Sequence, residues 1–190
     1  MIFGNVNFGI RFSNLLIVHP SFFPTPPLQV TTLRIDRITD GRHAVVDFTK
    51  DWKLDALRRD LTINAMSLSL DGTLYDYFEG QKHLAEKRII FVGDAKTRIQ
   101  EDFLRILRYF RFYGRIVPDV DKHDAATLET IRETADGLRG VSVERVWMEV
   151  RRILVGNHAP HLMKLMYELN VAESIGKSLQ SIYMYCSYCW

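Results

Sequence analysis

The stretch from Ala95 to Arg115 constrains this chain more than any other, because it carries the strongest helical periodicity of apolar residues. At 100° per residue, Phe103, Ile106, Leu107, Phe110 and Tyr113 fall on one face. Leu104, Arg108, Arg111 and Arg115 lie opposite, and Asp102, Arg105, Tyr109 and Phe112 occupy one flank. A helix with such a face must bury it, so it needs partners. The residues that follow supply them: helices are predicted over about 124–137, 142–155 and 158–169, with Gly137 and Gly156 closing the first two. Ser142, followed by Glu144 and Arg145, marks the start of the second. Asp124 reads as the cap of the first. His123-Asp124 is therefore a loop end and not a metal motif, since no His or Asp cluster accompanies it.

Before this helix the period changes. Val30 to Arg34 and Ala44 to Phe48 read as strands, with turn residues Thr39-Asp40-Gly41-Arg42 between them. A helical stretch is predicted over Leu54–Arg59 and again over Thr62–Leu70. Asp71-Gly72 then turns the chain into a strand over Leu74–Phe78. A short helix over 80–86 and a compact strand over Arg88–Val92 follow. The expected fold class is α+β, with a mixed sheet first, helices second, and the 95–115 helix as the hinge.

Residues 1–27 stand apart. They hold one charge, Arg11, and end with Pro24, Pro26 and Pro27, which exclude a regular helix or central strand there. They make no credible targeting signal: a transit peptide would be richer in arginine, and a secretory one would need a small-residue cleavage site. Residues 179–190 are also compositionally odd. Their Cys186 and Cys189 form a lone C-x-x-C without the second pair that a zinc site needs. No apolar run is long enough to span a membrane. The net charge of +2 is too mild to name a partner. Local charge says more, because Arg98, Arg105, Arg108, Arg111 and Arg115 crowd one segment against Glu101 and Asp102.

Two motifs carry chemistry. In Arg58-Arg59-Asp60-Leu61-Thr62-Ile63-Asn64-Ala65, two guanidinium forks stand beside a carboxylate that can orient one and leave the other for phosphate or ribose. The alternative is an exposed ion-pair patch at a helix end. In Glu101-Asp102-Phe103-Leu104-Arg105, Asp102 and Arg105 are three apart on a helix, so their side chains are expected side by side. An acceptor next to a fork of donors can match a base edge. The alternative is an ordinary surface ion pair.

Together, R-R-D-L-T-I-N-A and R-I-Q-E-D-x-L-R-I-L-R-Y-F-R-F resemble the class II CCA-adding tRNA nucleotidyltransferases and the related bacterial poly(A) polymerases. The likeness runs from about Val30 to about Ile175 and is closest to the animal type. It includes Thr31-Thr32-Leu33-Arg34-Ile35-Asp36, Asp40-Gly41-Arg42-His43 and Gly156-Asn157-His158. It implies a nucleotidyltransferase head over 28–93 and a helical neck and body over 94–178, between the atypical segments 1–27 and 179–190. It also implies addition of C, C and A to tRNA 3′ ends from CTP and ATP, in mitochondria, cytosol or both. By resemblance, Arg59 contacts the sugar and phosphates, and Asp102 and Arg105 hydrogen-bond the base. Arg108 and Arg111 add nucleotide contacts, with Arg58, Asp60, Glu101 and Arg98 supporting. Nothing in the residues sets an oligomeric state.

The chain departs from the family at the metal site. Members carry a Gly-Gly turn and a D-x-D aspartate pair that holds magnesium, yet residues 1–27 contain no Asp or Glu and the position before Val30 is Gln29. No residue is therefore assigned as catalytic or metal-binding, and impaired catalysis is expected. Ser21 to Gln29 can be encoded by pyrimidine-rich codons ending in CAG, as an intron's acceptor end is. Both ends are accordingly read as non-coding read-through or an unusual splice form. A non-catalytic tRNA- or nucleotide-binding fragment and a helical structural module are the competing functions.

Overall fold

The computed structural model describes residues 16–18, 28–30, 32–39, 44–69 and 71–176. Among the described residues, the strand-forming part builds three two-stranded antiparallel sheets. Strand β1 (Leu16–Val18) pairs with β2 (Leu28–Val30), and β3 (Arg34–Thr39) pairs with β4 (Ala44–Phe48) across a register shift between Asp36 and Ile38. The expected strand over Val30–Arg34 is thus divided, with β2 ending at Val30 and β3 beginning at Arg34. The turn expected at 39–42 lies mostly outside the described residues.

Helix α1 (Trp52–Leu57) begins where Asp51 accepts from the backbone N–H groups of Lys53 and Leu54, the usual work of an Asp cap. The helix expected over Thr62–Leu70 is replaced by a single 3-10 turn at Thr62–Asn64 and a hairpin of β5 (Ser67–Leu68) with β6 (Leu74–Tyr75). Gly72, at φ 88°, takes the left-handed backbone that this hairpin turn requires. The strand expected at Arg88–Val92 contracts to one bridge, Leu61 opposite Phe91. Flanking backbone bonds, Thr62 N–H to the Ile90 carbonyl at 2.9 Å and Val92 N–H to the Asp60 carbonyl at 2.9 Å, hold the two segments together. Helix α2 (Gly80–Ala85) falls where expected.

The long helix is broken. Helix α3 (Ala95–Glu101) ends at Asp102, whose backbone is extended at φ −158° and ψ 102°, and α4 (Leu104–Ile116) starts anew. The Asp102 carboxylate accepts from the Leu104 N–H at 3.2 Å. An aspartate that offers its side chain to the backbone competes with helix continuation in this way. The Phe103 ring fills the space a Cβ on Gly137 would need, so the break is packed against the 3-10 turn Ala135–Gly140.

Helices α5 (Ala125–Thr134), α6 (Val143–Leu154) and α7 (Ala159–Glu168) lie within the expected ranges, and residues 171–176 add a final helical turn. Asp124 caps α5 by accepting from Thr127 N–H at 2.8 Å. Helix α4 packs against α6 and α7, and α3 against α5. The main core gathers Ile106, Leu107 and Phe110 of α4 with Ile131, Val146, Val150, Ile153 and Leu162. Burial of α4 is wider than one face. Leu104, assigned to the polar side, is buried at 7% exposure, and Tyr109 at 1% stacks on Phe91. The bridge segment covers this flank, which no helical period could announce.

Candidate nucleotide-binding site

Residues from the two motifs meet at one cavity of about 430 Å³. Arg58, Arg59, Asp60 and Asn64 line it from the first motif; Asp102, Arg105 and Arg108 line it from the second. Arg145, on α6, completes it. Five arginines against two aspartates leave an excess of fixed positive charge, suited to an anionic ligand.

The orienting carboxylate of the double arginine is Asp55, not Asp60 as expected. Asp55 sits one helical turn before the pair and is buried. It accepts from Arg58 Nη2 at 2.6 Å, Arg59 Nη2 at 3.0 Å and the Arg34 backbone N–H at 3.2 Å. Burial raises its pKa, but these donors outweigh burial and hold it below the ordinary carboxylate value. Arg59 also donates to the Asn64 carbonyl at 3.2 Å, yet its side chain stays 40% exposed at the cavity.

Asp60 points the other way, to α4. It is buried and accepts from Arg108 Nε at 2.5 Å and Asn64 Nδ2 at 3.1 Å. Burial pushes its pKa up, and the Arg108 charge with these hydrogen bonds brings it below the usual value. This ion pair joins the two motifs across 48 residues of sequence.

Asp102 and Arg105 share the cavity but do not pair. The helix break turns Asp102 away, and its Oδ2 accepts from Arg145 Nη2 at 2.7 Å. Arg105 donates through Nη1 to the Arg98 carbonyl at 2.9 Å and Glu101 Oε2 at 2.7 Å. Its Nη2 donates to the Arg58 carbonyl at 2.9 Å. A guanidinium has five N–H donors. Those bonds, counted among the described residues, leave the Nε–H and one Nη2–H for a ligand.

The remaining candidates stand elsewhere. Arg98 donates to the Leu57 carbonyl at 2.9 Å and pairs with Glu101 at 2.5 Å, outside the lining. Arg111 turns to a different hollow and pairs with buried Glu149. Arg145 was not anticipated, although its place three residues after Ser142 was the visible signal. Only the packing of α6 on α4 shows that it faces Asp102.

Among the described residues, no three His, Cys, Asp or Glu side chains come together as metal ligands. The two carboxylates lining the cavity each hold a guanidinium, so this donor set does not fit a divalent cation.

The arginine-lined cavity lies where the small-sheet segments meet the helices, and the chain's likenesses are to nucleotidyltransferases. The chain matches the poly A polymerase head domain over residues 6–90 and the probable RNA- and SrmB-binding site of polymerase A over residues 123–182. The head match reaches back into the segment that the sequence reading set apart. The human mitochondrial CCA tRNA nucleotidyltransferase 1 is 63% identical over 148 residues, covering 78% of this chain and 34% of the human protein. The Bacillus stearothermophilus CCA-adding enzyme in complex with CTP superposes with TM-score 0.66 at 31% identity, covering 78% of this chain and 35% of that one. The Thermotoga maritima enzyme complexed with tRNA gives 0.57 at 25% identity, covering 65% of this chain and 30% of that one. This chain belongs to the tRNA nucleotidyltransferase and poly(A) polymerase family, in its CCA-adding branch. It spans about a third of the length of the curated relatives it matches. No described helix is long and apolar enough to cross a membrane.

Proposed function

We propose that this chain supplies the nucleotide-selecting and RNA-holding part of template-independent CCA addition to tRNA, with CTP and ATP as the nucleotides. The observation that carries the reading is the single cavity where both arginine-rich motifs converge. Arg59 is positioned for phosphate and ribose. The remaining donors of Arg105 and the second lone pairs of Asp102 offer a donor and acceptor edge to a base. Arg108 adds charge from α4, and Arg58, Asp60, Glu101 and Arg98 fix the frame. The solved relatives bound to CTP and to tRNA support the same ligands here. The name of the human relative favours a mitochondrial setting.

When bound, a divalent cation such as magnesium would supply charge stabilisation to nucleotidyl transfer. The cavity's own carboxylates are committed to arginines, and residues 1–27 offer no acid. The reading for this 190-residue chain is therefore recognition without transfer. Equilibrium CTP binding, followed by incubation with radiolabelled CTP, Mg²⁺ and tRNA ending before CCA, tests both halves. CTP is expected to bind and no label to enter RNA. Absence of CTP binding would refute recognition. Incorporation that disappears on Asp47→Ala would show a working metal site and refute the loss of transfer.

A further inference from the structure

A cavity of about 330 Å³ opens between the start of α5 and α7, and its lining shares no residue with the nucleotide cavity. Its apolar wall is built by Ala125 and Leu128 of α5 and Leu165 of α7. The charged groups that line it are matched in sign. His161 Nε2 stands 3.5 Å from Asp121 Oδ1, and Lys164 Nζ stands 3.8 Å from Glu168 Oε1. Two acids thus face one lysine and one histidine, which leaves no strong excess of either charge.

His123 completes the lining, and α4 fixes its ring. The imidazole lies on Tyr113 with ring centroids 3.6 Å apart and planes 14° from parallel, and its Nδ1 meets the Tyr109 hydroxyl at 2.9 Å. The other ring nitrogen, Nε2, is buried and has no hydrogen-bond partner among the described residues. Buried polar atoms are seldom left in that state, because water is lost and nothing replaces it. Burial, aided by His161, pushes the His123 pKa down to about 4, so the ring is neutral near pH 7. A neutral imidazole presents at Nε2 one N–H or one lone pair, according to which group donates between Nδ1 and Tyr109.

We propose that this cavity binds a small, uncharged aromatic molecule with one hydrogen-bonding group, its ring against Leu128 and Leu165 and that group on His123 Nε2. The inference is independent of the reading of the nucleotide cavity. Ligand pockets of about 300–1,000 Å³ are lined mostly by apolar side chains with a few placed polar groups. This cavity lies at the small end of that range and suits a molecule of roughly one or two rings. An aromatic molecule of this kind joins a large apolar face to one polar edge, which matches three apolar side chains and one unsatisfied nitrogen. A carboxylate or ammonium would shed its hydration without gaining a free counter-ion, because each charged lining group already stands beside its opposite.

The test titrates the chain near neutral pH with indole, an N–H donor, and with quinoline, an acceptor, while NMR follows the nitrogen-15-labelled imidazole of His123. One of the two is expected to bind with a Kd of about 0.1–1 mM and to move the Nε2 resonance. Ala125→Phe, at an exposed lining position, fills the cavity and should weaken that binding at least about tenfold. His123→Phe keeps a flat ring on Tyr113 but removes Nε2, and should weaken it about 5–10-fold. The melting temperature reports whether each variant folds. Failure of both probes to bind at up to about 5 mM overturns the proposal. So does affinity undiminished in Ala125→Phe, which would place the probe elsewhere, or benzoate or benzylammonium bound as tightly as the neutral probe, which would make this a site for ions. A bound probe that leaves the Nε2 resonance unmoved overturns it as well, whether or not His123→Phe folds.

Discussion

Replacing Asp60 with Asn removes one charge and almost no volume, and it strikes the contact that joins the two halves of the site. In the wild type, the Asp60 side chain is 7% exposed and its partner Arg108 is 32% exposed, with Nε at 2.5 Å. Removing one partner of a fully buried pair costs about 3–5 kcal/mol, because the other charge is left without compensation. Arg108 reaches solvent, which screens it, so a loss of about 2–3 kcal/mol is expected here. For a domain of this size that corresponds to a fall in Tm of about 5–10 °C. The pH dependence has a definite sign. The folded pKa of Asp60 lies below its ordinary value of 3.8. Its contribution is therefore fully present above 3.8 and is lost as pH falls through the lower, folded value. Calorimetry of wild type and Asp60→Asn should show a constant Tm gap near neutrality that closes below pH 3.8. A gap under a degree at pH 7, or one that persists unchanged into acid, would refute the view that this pair fastens the motifs together.

The other expectations concern single groups. Asp102→Ala removes the acceptor at the cavity while Arg105 keeps its bonds to Glu101 and two carbonyls, so discrimination among CTP, ATP, GTP and UTP should fall before phosphate affinity does. Equal weakening for all four in titration calorimetry would count against base reading. Gly137→Ala drives a methyl group into the Phe103 ring and should lower stability by about 1–3 kcal/mol in urea titration, with CTP affinity following only as the α3–α4 break shifts. Burial pushes the His123 pKa from 6.5 down to about 4, with His161 adding to the shift and Asp121 opposing it. The unfolded chain then binds the extra proton between those values, so stability should rise as pH increases from about 4 to 6.5. With its Nδ1 on the Tyr109 hydroxyl at 2.9 Å, His123→Gln should flatten that rise, and an unchanged profile would exclude the imidazole as its source.

What could be read from the residues alone was whatever depends on near neighbours. Helices α5, α6 and α7 were legible because period, caps and Gly stops act within a few positions, and Asp124 caps α5 as its place before Ala125 foretold. The α+β order and the family were legible as well, since the arginine-rich motifs are contiguous strings. Tertiary structure decided where contacts join distant segments. A uniform period from Ala95 to Arg115 gave no sign that Asp102 would bond the Leu104 N–H and break the helix. That break turns the expected Asp102–Arg105 pair into Asp102–Arg145 and Arg105–Glu101. The helical pattern after Thr62 likewise gave way once Leu61 paired with Phe91 and the backbone beside it found partners in the 90–92 segment. The Asp60–Arg108 bond spans 48 residues and Asp102–Arg145 spans 43, distances over which no local preference acts. Buried charges take whichever partner the packed core brings within reach, and the core of this chain is set by how α4 lies between the bridge segment and α6.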